Sequence, residues 1–189
     1  AAGNSITLTV AGQNVTGSGT QDDTVRTGAL TSVTGAISMG LGTDTLQIDT
    51  NNTNISTATL TSVEQITLAN NVGATMTIAQ NALINTATGT NTVTLTDGGA
   101  ATGDAQVESY VLANAAGNSF TLGATAQNVT GSADNADTVH TGALASVTGN
   151  LALGATGNDV LVIDTDATDI HLATTTSVEE ITLANNVGA

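Results

Sequence analysis

Most of this chain is written twice. Gly3 to Ala74 and Gly117 to Ala189 are near-copies, offset by 114 positions at Gln13 and Gln127 and by 115 at Asp44 and Asp159. QNVTGS, DTV, TGAL, SVTG, SVE and ITLANNVGA recur almost letter for letter, and VEQITLANNVGATMTI from Val63 is echoed by VESYVLANAAGNSFTL from Val107 and by VEEITLANNVGA from Val178. Repeats on this scale mean stacked supersecondary units, none of which buries its apolar face alone. The expected organisation is a first repeat unit over 1–114, with a core at 3–74 and connecting rungs at 75–114. A second, truncated unit follows over 115–189, the whole forming one continuous solenoid. The chain begins and ends inside an echo, which suggests a piece of a longer tandem array.

Composition restricts what can fill the core. There is no Cys or Pro, and Tyr110 and Phe120 are the only aromatic residues. A globular core normally leans on large rings. Here burial must come from stacked Val, Ile, Leu, Ala and Thr. The chain is 40% hydrophobic, which with its regular β-branched residues argues against disorder. No apolar run reaches the ~18 residues of a membrane span; the sequence does not open on a charged-then-apolar stretch resembling a signal peptide, as is expected of a trimmed piece.

Sixteen acidic residues face one base, Arg26, for a formal net charge of −15. Phosphate binding needs Lys and Arg, so nucleic acid is excluded as a partner, and an anionic membrane surface is disfavoured for the same reason. Carboxylates without counter-charges repel one another in a compact state unless something cationic neutralises them.

Apolar residues fall in short alternating clusters: ITLTV at 6–10, then 14–15, 24–25, 36–38, 46–48, 66–68, MTI at 76–78 and VTL at 93–95. Period-2 segments bounded by Gly, Asn and Asp read as strands and turns, and Thr, Gly and Asn are poor helix formers. Two clusters per turn give an all-β fold: a β-solenoid or β-roll of stacked short strands, roughly 20 residues per turn, built from tandem repeats. DGGAATGDAQ at 97–106 reads as a protruding loop.

The acids are patterned too. Asp23 lies in GSGTQDDTV and Asp44 in GLGTDTLQI; their copies are Asp137 in GSADNADTV and Asp159 in GATGNDVLVI. Each follows a Gly-bearing turn and precedes an apolar strand, and one solenoid turn of separation stacks the members of each pair. Hard cations such as calcium take six to eight oxygens from carboxylates and carbonyls, and glycine lets a tight turn aim its carbonyls inward. An Asp before a strand is equally an ordinary turn residue that bonds its own backbone.

GLGTDTLQI and GATGNDVLVI resemble the Gly-Gly-x-Gly-x-Asp-x-apolar-x repeats of RTX proteins, which bind calcium in a parallel β-roll. The longer pattern, VTGS through DTV, TGAL and SVTG to a second Gly-Asp turn and SVExITL, is similar to the β-strand repeats of bacterial S-layer proteins and large surface adhesins. The resemblance covers nearly the whole chain. It implies secretion through a type I pathway and folding on calcium outside the cell. By resemblance Asp23, Asp44, Asp137 and Asp159 map onto the calcium-binding aspartate, and Gly40, Gly42, Gly154 and Gly157 onto its turn. The turns here are isolated rather than back to back, and they lack the paired leading glycines.

Other repeated polar residues have plainer readings. Asp49 and Asp164 are expected in solvated turns, and Glu64, Glu108 and Glu179 at a repeated surface or turn position. Asn70, Asn71, Asn185 and Asn186 suit a stacked amide ladder along one edge. His140 and His171, whose copies are Arg26 and Ser56, are expected at the surface. The glycosylation sequons at Asn14, Asn54 and Asn128 are what chance gives in so Asn- and Thr-rich a chain.

No Cys, Lys or His-Asp-Ser constellation supports catalysis. The expected work is that of a structural segment of an extracellular bacterial surface protein: S-layer, filament or adhesin stalk. Calcium is its expected cofactor, and other copies or adjacent repeats of itself are its partners. The alternative is a module that recognises ice, mineral or a cell-surface glycan through a flat Thr-rich face.

Overall fold

The structure, a computed structural model, describes residues 3–184. It divides into two compact units, Ala1–Val93 and Thr94–Ala189. Each is a β-solenoid of parallel sheets.

In the first unit the strands are β1 (Ser5–Thr7), β2 (Val15–Thr16), β3 (Thr24–Arg26), β4 (Ala36–Ser38), β5 (Thr45–Ile48), β6 (Thr53–Asn54), β7 (Thr59–Thr61), β8 (Gln65–Leu68), β9 (Gly73–Met76) and β10 (Ile84–Ala87). One short helix, α1 (Ile78–Asn81), interrupts them. One sheet runs β1-β3-β5-β8-β10 and another β2-β4-β7, while β6 pairs with β9. β11 (Thr92–Leu95) spans the boundary between the units in sequence.

The second unit holds β12 (Ala100–Thr102), β13 (Ser109–Val111), β14 (Asn118–Thr121), β15 (Asn128–Thr130), β16 (Asp137–His140), β17 (Asn150–Ala152), β18 (Val160–Ile163), β19 (Thr174–Thr176) and β20 (Glu180–Leu183). One sheet runs β12-β14-β16-β18-β20, and β13, β15, β17 and β19 follow one another in a second.

Strands this short are marginal alone. Repetition of register makes them a fold. Val25, Leu46 and Ile66 stand over one another and are almost fully buried; Phe120, Val139 and Leu161 do the same in the second unit. Burying one such Leu, Ile or Phe contributes about 1.5–3 kcal/mol. The two aromatic residues meet in the second core, ring centroids 4.7 Å apart, and the Tyr110 hydroxyl accepts the Asp104 N–H at 2.8 Å.

Three expectations need correction. MTI at 76–78 is not a strand: Met76 ends β9 and Ile78 opens α1. The Thr77 hydroxyl accepts the Gln80 N–H, while the Gln80 side chain accepts the Thr77 N–H. This reciprocal cap makes a single helical turn tolerable. The stretch 97–106 is not a protruding loop, because it contains β12, whose Ala101 is buried over Phe120. The VE echoes are also not equivalent in space. Val63 leads into β8 and Val178 into β20, but Val107 leads into β13, on the other sheet of its unit.

No helix among the described residues is long and apolar enough to cross a membrane.

Candidate functional site

The register puts Asn4, Asp23, Asp44 and Glu64 immediately before β1, β3, β5 and β8. They form a column one coil apart. The Asn4 N–H donates to Asp23 Oδ1 at 2.7 Å, the Asp23 N–H to Asp44 Oδ1 at 2.6 Å, and the Asp44 N–H to Glu64 Oε2 at 2.9 Å. Sequence separations along the column are 19, 21 and 20 residues. The second unit repeats the arrangement. The Asn118 side-chain amide donates to Asp137 Oδ1, the Asp137 N–H to Asp159 Oδ1 and the Asp159 N–H to Glu179 Oε2, at 2.7, 2.7 and 2.8 Å.

Asp suits the inner positions because its short carboxylate bridges one inter-strand step of ~4.8 Å. It gives an acceptor to an N–H that the sheet ladder leaves over where each strand begins. Asp23 and Asp137 also tie down the preceding turn, where their Oδ2 atoms accept the N–H groups of Ser18 and Ser132, each at 2.6 Å. Gly17 and Gly131 sit against these carboxylates. A Cβ on either would fall within 3 Å of the Asp oxygen and of the carbonyl of Met39 or Leu153.

Asp23, Asp44, Asp137 and Asp159 are all buried, whereas Glu64 and Glu179 are exposed at the end of each column. The N–H groups of Asn4 and Ser18, in that order of effect, hold the Asp23 carboxyl below its ordinary value. Asp159 is pushed up, chiefly by burial and then by the charges of Asp137 and Glu179, against the lowering effect of the Asp137 N–H. One oxygen in each column, Oδ2 of Asp44 and of Asp159, is buried with no hydrogen-bond partner.

The turn glycines occupy the left-handed region: φ is 101° at Gly40, 141° at Gly42, 114° at Gly154 and 112° at Gly157. Coil stacking demands them as well. A Cβ on Gly40 would lie 2.7 Å from the Ser18 carbonyl oxygen, and one on Gly154 would lie 2.0 Å from that of Ser132.

Calcium would draw on carboxylate and turn carbonyl oxygens, and most of the carboxylate oxygens here are already engaged. Both oxygens of Asp23 and of Asp137 already accept hydrogen bonds, leaving one buried oxygen on Asp44 and one on Asp159. Among the described residues no group of three or more His, Asp or Glu side chains is placed to hold one metal ion. Calcium takes six to eight oxygens. As arranged, the carboxylates of these residues cap backbone N–H groups of the neighbouring coil and of the preceding turn.

A second repeated device joins the coils. Asp49 Oδ2 accepts the Gly28 N–H, and Asp164 Oδ2 accepts the Gly142 N–H, at 3.0 and 2.7 Å. Each Asp N–H in turn donates to the hydroxyl of Thr27 or Thr141. Arg26 pairs with Asp49, and in the other copy His140 Nδ1 lies 3.0 Å from Asp164. These are interlocked residues and not solvated turns, and His140 has a partner that its lack of a repeated His did not suggest. His171 is exposed, beside Asp169. Glu108 precedes β13, outside the columns. Asn71 accepts the Thr90 N–H, an amide-to-backbone bond and not an amide-to-amide rung; Asn185 and Asn186 lie outside the described residues.

No protein-family model, curated protein or solved structure matches the chain.

Proposed function

We propose that this chain is a structural repeat segment of an extracellular bacterial surface protein, an S-layer, filament or adhesin stalk, whose work is to hold length. One observation carries the reading: the same ladder is built twice, and its buried polar groups bond from coil to coil. Groups arranged to engage a ligand converge on a shared point. These run along a column instead. The extracellular setting rests on the resemblance to surface-protein repeats and on sixteen acids against one base. The rival reading, recognition by a flat Thr-rich face, lacks an unbroken rank to work with. The two outward rows of the first unit's longer sheet read Thr7, Arg26, Gln47, Thr67 and Ser5, Thr24, Thr45, Gln65, and those of the second unit's read Thr121, His140, Val162, Thr182 and Ser119, Thr138, Val160, Glu180.

Pulling single molecules by their ends tests the mechanical claim. Parallel strands linked coil by coil should unfold in discrete force-bearing steps. Smooth extension at the force of an unstructured chain would refute it. Labelling of intact cells with an antibody to the chain tests the location, and signal only after lysis would remove the extracellular part.

A further inference from the structure

Three ties run from coil to coil through the first unit, and all three change at one junction. The sheet β2-β4-β7 stops at β7, because the next coil, 73–87, carries α1 between β9 and β10 and offers β7 no partner strand. The column of Asn4, Asp23, Asp44 and Glu64 stops at Glu64, because the apolar Leu83 holds the place before β10. The ladder between β8 and β10 shifts register between Ile84 and Thr86. Those of β1 with β3, β3 with β5 and β5 with β8 run without a shift.

Each change takes away bonds that cross from one coil to the next. A strand gives its N–H and C=O groups to its neighbours, whereas a helical turn bonds its own. In α1 and its cap the N–H groups of Asn81, Ala82 and Leu83 donate to the carbonyls of Thr77, Ile78 and Gln80. A shift of register disrupts the ladder locally. On the β7 side the buried Gln80 side-chain amide reaches across instead, donating to the carbonyls of Ile55 and Ala58 at 2.9 and 3.3 Å. Burial does not set the junction apart, since Ile66, Leu68 and Met76 here and Val25, Ile37 and Leu46 before it are all almost fully buried. We infer that the junction between the coils 53–68 and 73–87 is a breakpoint built into the first unit. It opens before the β3–β5 and β5–β8 junctions that precede it, and Gln80 is the strap that holds it shut. Under load it would yield first and release length while the Asp-linked coils stay closed. The order of opening belongs to the coils themselves and stands apart from the reading of the chain as a stalk.

Native-state amide exchange of the whole chain reads each junction separately. The N–H groups of Ile55 and Ile66 cross this junction to the carbonyls of Thr75 and Leu83, at 2.9 and 2.7 Å. Those of Thr27 and Thr45 cross between β3 and β5, and those of Gln65 and Ala69 between β5 and β8. Protection at Ile55 and Ile66 should be at least ~tenfold lower than at the other four, since a junction with fewer cross-bonds opens more often. Gln80→Ala should lower protection at Ile55 further and leave Thr27 and Thr45 unchanged. Thr67→Cys with Thr86→Cys joins paired positions of β8 and β10. Oxidised, that variant should raise Ile66 to the level of Thr45, and reduction should undo the gain; it decides the matter if Gln80→Ala unfolds the whole unit. Equal protection at all six amides overturns the inference, as does an oxidised cross-link that leaves Ile66 unchanged. In a unit that stays folded, an effect of Gln80→Ala spread equally over all three junctions overturns the strap. None of these outcomes bears on pulling force or cell location, so the two readings fail separately.

Discussion

The backbone N–H of Asp137 reaches Oδ1 of Asp159 at 2.7 Å, while Oδ2 of the same carboxylate is buried without a partner. Asp23 and Asp44 repeat the arrangement at 2.6 Å. Oδ1 of Asp44 and of Asp159 thus stabilises the stack, while Oδ2 of each is held out of water. Burying a charge without a full set of partners is costly, so the capping oxygen and the unpaired oxygen should separate under mutation.

Asp44→Ala or Asp159→Ala removes the acceptor and strands a buried N–H, a loss of about 1–3 kcal/mol. Asp44→Asn or Asp159→Asn keeps an oxygen at the Oδ1 position and removes the charge. Urea unfolding should place the Asn variants at or above the parent and the Ala variants well below it. Equal losses for Ala and Asn would show that the negative charge itself is needed.

The pH dependence follows from the direction of each shift. Asp159 is raised above its ordinary 3.8 by burial and by neighbouring charge, so it binds its proton more tightly when folded. Its contribution is fully present below 3.8 and is lost as pH rises through the folded value. Asp23 is lowered, so its contribution is present above 3.8 and lost as pH falls through its folded value. Asp159→Asn should therefore exceed the parent in stability most at neutral pH, the gap closing toward pH 3.8. A gap independent of pH would contradict the assignment.

The repeat, the alternation of Val, Ile and Thr, and the Asp spacing made the solenoid and the stacking of Asp23 on Asp44 legible in the sequence, because each depends on periodicity alone. The role of the column was less legible. A search for acids passes over Asn4 and Asn118, which stand at the strand starts of β1 and β14 as Asp23 does at that of β3. The readable signal was a polar residue at a strand start every 19 to 22 residues, whatever its charge. Thr77 and Gln80 carried a capping signature that the strand-like MTI obscured. Nothing local marks 97–106 as a coil, since Ala101 becomes core only when Phe120 lies over it.

Calcium provides a separate check on the ladder. With the inner carboxylates used as backbone caps, melting curves in millimolar calcium and in EGTA should superimpose when ionic strength is matched, because a ligand raises stability only by binding the folded state. A calcium-dependent rise that disappears in the Asp44→Asn, Asp159→Asn double variant would assign these residues to a metal site.

Ala167 offers a stabilising change. It holds φ 60°, where its counterpart Asn52 holds φ 61°. The left-handed region costs a Cβ-bearing residue roughly 1–2 kcal/mol, and Asn and Gly less. Ala167→Asn should raise stability by up to about 1 kcal/mol, read as a higher urea midpoint at unchanged slope. Asn52→Ala should lower it by a similar amount.

The Arg26–Asp49 and His140–Asp164 pairs can be ranked by what each side chain holds. Arg26 also donates to Gln47 Oε1 at 3.0 Å, but the residue in line with His140 on β18 is Val162, so an arginine at 140 gains only Asp164. Partly exposed pairs are worth about 0.2–1 kcal/mol. His140→Arg should therefore raise stability by no more than that. Asp164 also caps the Gly142 N–H, at a glycine with φ 59°, and its loss leaves that turn without an acceptor. Asp164→Ala should cost about 1–3 kcal/mol, with most of the loss remaining in a His140→Ala background. A double-mutant cycle measures both quantities. A coupling energy as large as the Asp164→Ala loss would make the ion pair, and not the backbone cap, the reason the aspartate is there.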